Sequence, residues 1–168
     1  MLSRCEKIPD TKLETLRNTP SGIYLLELYT KKKFSPKNNK FSDIVLEKGF
    51  YYYVGSAQKN LSSRILRHFK REKTLHWHID YITSNDSVEI ISALIIPGAE
   101  KSVEWEIAKD LENYFDLSIP IKQFGNSDTN LTNSHLFYSK EKILYSHFIL
   151  RYQSIVRFKP SSKEIFGT

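Results

Sequence analysis

A small α+β domain, with a mainly antiparallel central sheet flanked by helices, is predicted by three features of the sequence. Residues 23–29 and 50–54 are β-branched, aromatic and apolar, the composition of strands. After Gly55-Ser56-Ala57 the apolar period changes from two to nearly four, so that Leu61, Ile65 and Phe69 share one helical face. Further on, Val103, Ile107, Leu111 and Tyr114 recur at helical spacing and predict a helix over residues 101–115. The 168 residues fit one core with some extra chain at the ends, and the 40% hydrophobic content is enough to fill it.

Residues 1–20 read as an N-terminal extension with one short helix over 10–17, capped by Asp10 or Thr11, that puts Leu13 and Leu16 on one side. Thr19-Pro20-Ser21-Gly22 breaks it. Three strands follow, over 23–29, 44–46 and 50–54, the last two joined by a tight turn at Glu47-Lys48-Gly49. Between the first two, residues 30–40 carry Lys31, Lys32, Lys33, Lys37 and Lys40 with no acid, plus Pro36, which suits an exposed loop. A solvated run is the simpler reading of that loop; a phosphate-contacting flap is the other.

The helix after Ala57 is predicted to start at Asn60 as N-cap, with Ser62 and Ser63 in its first turn. Away from its apolar face it presents Arg64, Arg67, His68 and Arg71. A second helical stretch over 75–82, an apolar strand over 88–96 and a Pro97-Gly98 turn lead to the helix over 101–115. Residues 119–132 read as irregular, and residues 141–158, rich in Ile, Leu, Phe and Tyr, read as a helix ended by Pro160. This gives a core domain over 21–139 and a C-terminal helical extension over 140–168.

Composition narrows the function classes. No stretch approaches the roughly 18–20 apolar residues of a membrane span, and Arg4, Glu6, Lys7 and Asp10 interrupt any signal-peptide core, so a soluble cytoplasmic protein is expected. Cys5 is the only cysteine, which excludes an internal disulfide and a cysteine-rich zinc site. Lys plus Arg number 25 against 19 acids, a net +6 that favours a polyanionic partner through counterion release, although solvated surface accounts for such an excess equally well.

Gly22-Ile23-Tyr24 on the first strand, Tyr53-Val54-Gly55 ending the third, a following helix with Arg64 and a later helix with a glutamate together resemble the GIY-YIG nuclease signature. Tyr52-Tyr53-Val54-Gly55-Ser56-Ala57, Arg64-Ile65-Leu66-Arg67-His68, His76-Trp77-His78-Ile79-Asp80-Tyr81, Phe124-Gly125 and Ser134-His135-Leu136-Phe137 narrow the likeness. They are similar to an uncharacterised archaeal and bacterial branch of that superfamily, found alone or attached to endonuclease III-like repair glycosylases. The resemblance spans about residues 22–138. Two departures stand out: Ser127-Asp128-Thr129-Asn130-Leu131 occupies the place of paired cysteines, and Trp105 beside Glu104 occupies that of a helical cysteine.

The resemblance implies a metal-dependent endonuclease acting on nucleic-acid phosphodiesters, with DNA favoured and RNA left open. Arg64 would donate paired hydrogen bonds to phosphoryl oxygens, a task suited to the planar guanidinium fork. Glu104, or Glu106 in an alternative alignment, would hold Mg²⁺ or Mn²⁺, hard cations that prefer oxygen ligands. Tyr24 and Tyr53 would face each other across the sheet, one phenol orienting or deprotonating the attacking water. A free phenol titrates near 10, so Arg64 and the metal would have to lower that value. His68, four residues after Arg64, would relay the proton or touch the phosphate. Gly55, Ser56, Arg67, Arg71, His76, His78 and His135 would form the surrounding nucleic-acid-binding surface.

Ordinary structural roles compete with each assignment: sheet packing for the tyrosines, a solvated helix face for Arg64. His76, His78 and Asp80 invite a metal reading, but on a helix His78 points away from the other two, which favours a structural or substrate-positioning role. Two further functions remain open. One is a non-catalytic nucleic-acid-binding accessory module of the same fold. The other is an interaction protein whose aromatic tail docks on a partner or a second copy, against which stands a tail that simply covers the domain's own sheet.

Overall fold

The computed structural model describes residues 8–36, 40–126 and 130–167; Cys5, Lys37 and residues 127–129 of the sequence lie outside it. Strands β1 (Gly22–Thr30) and β2 (Gly49–Ala57) pair antiparallel along their whole length. β3 (Val88–Pro97) runs antiparallel on the other side of β1, with β4 (Leu136–Ser139) outside β2 and β5 (Val156–Phe158) outside β3. The described residues thus form one five-stranded antiparallel sheet in the order β4-β2-β1-β3-β5.

Both faces of this sheet are covered, which explains why β1 reads as a nearly unbroken apolar run rather than an alternating one. On one face Tyr24, Leu26, Leu28 and Tyr53 pack with Leu13 and Leu16 of α1 (Leu13–Arg17), Leu61 and Ile65 of α2 (Leu61–Phe69), and Ile82 of α3 (Asp80–Thr83). On the other, Ile23, Leu25, Tyr52 and Val54 pack with Ile107, Ala108 and Leu111 of α4 (Lys101–Asn113) and Phe148 of α5 (Tyr145–Arg151). Burying such side chains is the main favourable term in folding, about 1.5–3 kcal/mol for each large one. Among the described residues no helix is long and apolar enough to cross a membrane.

Several expected elements are redrawn. Residues 44–46 are not a strand of the sheet: Leu46 makes only an isolated bridge with Phe34, while Val45 is exposed, and β2 pairs directly with β1. Asp10 and Thr11 do not cap α1, which begins at Leu13; Asp10 instead pairs with Arg157, and the Thr11 amide donates to the Arg157 carbonyl. Asn60 stands at the N-cap of α2 through left-handed backbone (φ 55°), with no side-chain cap bond. The helix expected over 75–82 shrinks to α3, because the Asp80 carboxylate accepts the amides of His76 and Trp77 at 2.9 Å and holds that stretch as a turn. α4 ends at Asn113, which leaves Tyr114 exposed.

The tail is not one helix over 141–158. It forms α5, then β5 along the edge of β3, then α6 (Ser162–Phe166) with a Ser161–Glu164 capping box. The β-branched and aromatic residues at 155–158 fit a pleated edge better than a helix, and Tyr152 breaks α5 with extended backbone. Phe148 is fully buried against Tyr52 and Phe115, and the Tyr52 hydroxyl accepts the Ile143 amide at 2.8 Å. The tail therefore covers the domain's own sheet. Phe148→Ala is expected to lower the unfolding free energy by about 3–5 kcal/mol in urea denaturation, and a chain cut after residue 139 is expected to aggregate; a soluble, folded remnant would contradict this packing.

Candidate active site

One cleft of about 640 Å³ is lined by Tyr24, Tyr53, Arg64 and Glu104 together. Tyr24 and Tyr53 sit on one face of neighbouring strands, but they are diagonal rather than directly opposed: Tyr24 pairs with Gly55, and Tyr53 with Leu26. The pairing with Gly55 is what makes room. A Cβ there would lie 2.4 Å from the Tyr24 ring, so any side chain at 55 would displace the ring. Tyr53 is backed by Phe124, edge-on at 6.1 Å, and by Gly125, whose positive φ of 77° suits glycine. His78 secures that loop, its Nδ1 accepting the Gly125 amide at 3.0 Å.

The Tyr24 hydroxyl lies 2.9 Å from His68 Nε2. His68 thus faces inward, 1% exposed, and is not part of a solvated basic face. Burial, reinforced by Lys73, pushes the imidazole down to about 3, so it is neutral at working pH. Burial also pushes the Tyr24 phenol far above its ordinary value; Arg64 pulls the other way without overcoming it. Tyr53 is shifted in the same direction, first by burial and then by the Tyr24 and Glu104 charges. The protein's own charges, Arg64 among them, therefore do not bring either phenol toward neutrality.

Arg64 projects from the first turn of α2, spends an Nη1 proton on the Ser56 carbonyl and lies 5.0 Å from the Trp77 ring centre. A guanidinium has five N–H donors, so this contact leaves several for a ligand. Glu104 stands in the first turn of α4, 8% exposed, with Oε1 3.3 Å from His135 Nδ1. That approach is close without the alignment of a hydrogen bond, and both His135 ring nitrogens lack a hydrogen-bond partner among the described residues. Glu106 is exposed and outside the cleft, so Glu104 is the carboxylate of this site. Among the described residues no three His, Cys, Asp or Glu side chains converge. A cation here would rest on Glu104, with His135 beside it.

Gly55, Ser56 and His135 join the cleft wall; Arg67, Arg71, His76 and His78 do not. Arg67 grips Asp80 through two bonds of 3.0 and 2.9 Å, and Arg71 donates to the Asn85 and Val88 carbonyls. Those cations tie α2 and the turn after it to the next segment. His76 is exposed, edge-on to Trp77. The remaining wall came unannounced: Gln58, Lys59, Trp77, Lys101, Trp105 and Leu131. Lys101, one turn before Glu104 on the same helix face, was legible from spacing alone.

Asp80 is fully buried. Burial pushes its carboxyl up, but the Arg67 fork and the two amides outweigh burial and hold it below the usual carboxylate range. A depressed value means stability that is present above the unfolded-state pKa and lost as pH falls through the folded one. Asp80→Asn is expected to lower stability by about 3 kcal/mol near neutrality, and the gap to the unsubstituted chain should close below about pH 4. Denaturation midpoints measured across pH check both the loss and its disappearance.

Residues 23–156 match the family described as a domain of unknown function, DUF123. No curated protein and no solved structure matches the chain. The matched stretch begins in β1, ends in β5 and takes in every residue that lines the cleft. Because it covers well over half of the sequence, the chain belongs to the DUF123 family.

Proposed function

We propose that this chain is a divalent-metal-dependent nuclease of the GIY-YIG type, hydrolysing nucleic-acid phosphodiesters with DNA as the favoured substrate and a role in DNA repair or processing. The supporting observation is the meeting of two phenols, a guanidinium and a nearly buried carboxylate in one concave cleft. Such a substrate puts its action inside the cell, in the cytoplasm.

In this reading the free N–H groups of Arg64 clamp two phosphoryl oxygens, a charge-assisted fork that strengthens as negative charge builds on phosphorus. Tyr24 works through its hydrogen bond to His68. In the tautomer with the ring proton on Nδ1, the phenol donates to Nε2 and turns its oxygen lone pairs to the cleft, where they accept from and aim a water. Tyr53 donates its hydroxyl proton to the same water or to a phosphoryl oxygen. Burial favours the protonated form of both phenols, so this reading gives them an orienting role. Glu104 is a fitting seat for Mg²⁺ or Mn²⁺, because it is a hard oxygen donor that no lysine or arginine among the described residues pairs with. Bound there, the cation would offset charge on the phosphoryl group and acidify a coordinated water.

One observation favours a second reading, a non-catalytic nucleic-acid-binding module: among the described residues the cleft offers a cation one carboxylate with one imidazole beside it, a sparse seat for a catalytic metal. Labelled linear, flapped and junction DNAs and an RNA, incubated with Mg²⁺, Mn²⁺ or EDTA, separate the two. Metal-dependent products are expected, with Arg64→Ala and Glu104→Gln each reducing the rate by about 10²–10³ and the exposed Glu106→Gln leaving it unchanged. Binding with no cleavage under any metal would replace the enzyme by the accessory module.

A further inference from the structure

The chain has two tryptophans, Trp77 and Trp105, and both line the cleft. They are in opposite situations. Trp77 is engaged on all sides: the guanidinium of Arg67 lies 4.4 Å from its ring centre and that of Arg64 5.0 Å, with the imidazoles of His76 and His68 at 5.0 and 5.7 Å. Trp105 is half-buried on α4, next to Glu104, and among the described residues nothing stacks on its ring or hydrogen-bonds its indole N–H. A half-exposed indole in the wall of a cleft whose other residues are mostly charged or polar is an apolar surface available to a ligand.

The charges say what kind of occupant fits. Lys59, Arg64 and Lys101 line the same cleft as Trp105, so an anion drawn in by the cations comes into a cleft that has an indole in its wall. A nucleotide with its base exposed offers both complements, a phosphate for the cations and a π-face for the indole. A base inside a duplex offers only one of them, because its faces are already covered by its neighbours and must be freed at a cost of a few kcal/mol per step.

We infer that Trp105 is a stacking platform for an unpaired base next to the phosphate held by Arg64, so that the chain selects single-stranded or flapped nucleic acid over blunt duplex. This rests on the nuclease reading for the position of the phosphate, and it adds the structure of the substrate. Stacking on an aromatic ring tolerates every base, so selection is by strandedness and not by sequence.

The test uses the full chain with EDTA present, so that binding is read without cleavage. Affinities for a short labelled single strand, a flapped duplex and a blunt duplex are compared by fluorescence anisotropy, and indole emission is followed during titration with the unlabelled single strand. The single-stranded and flapped DNAs are expected to bind about tenfold tighter than the blunt duplex. Trp105→Leu should remove that advantage, and Trp105→Phe, which keeps a ring, should retain part of it. Emission should be quenched in the unsubstituted chain and much less in Trp105→Phe, where Trp77 alone reports. Equal affinities with no quenching overturn the inference, even if Mg²⁺-dependent cleavage lost in Arg64→Ala upholds the nuclease. Conversely, ring-dependent preference for single strands without cleavage under any metal upholds the base platform and removes the nuclease.

Discussion

The phenol of Tyr24 occupies the space that a side chain at position 55 would need, and the rest of the cleft is arranged around that substitution of one residue's ring for another's absence. With β1 and β2 locked in register over nine residues, the ring cannot slide along the strand. It lies over Gly55 and ends at His68 on α2, linking the sheet to the helix that also carries Arg64. The Ser56 carbonyl, one residue further along β2, then accepts a hydrogen bond from Arg64 and fixes the guanidinium at the end of the same strand. A single missing Cβ thus gives the Tyr24 ring its place over β2, and the next residue's carbonyl holds the cation.

Charge in this molecule divides into what holds the fold and what faces the cleft. Arg67, Arg71 and Asp80 belong to the first group, a set of contacts that fastens α2 to the segment before β3. Buried pairs of this kind add little net stability over well-packed apolar residues, but they become expensive when one partner is lost. Arg64, Glu104, Lys59 and Lys101 belong to the second group. The net charge of +6 is carried by residues outside such pairs, since each pair sums to zero.

Much of the fold was legible in the sequence, because periodicity reports burial: β1, β2, β3, α2 and α4 stand close to where the apolar patterns put them. The four residues at the centre of the candidate site were legible too, through a motif whose spacing the sheet register preserves. The failures have physical causes. Arg67 and His68 look like neighbours on a basic helix face, yet the first is captured by a carboxylate thirteen positions away and the second turns inward to a tyrosine on the sheet. Long-range partners of that sort leave no periodic trace. The tail misled for a related reason: a short apolar run reads alike as helix or strand until an unpaired edge, here that of β3, selects one.

The Tyr24–His68 contact has a consequence outside its geometry. A phenol kept from ionising and an imidazole kept from taking a proton form a pair with no charge to change across the whole span of acidity that living cells maintain. Shifts in the acidity of the surroundings therefore leave this link between sheet and helix unaltered.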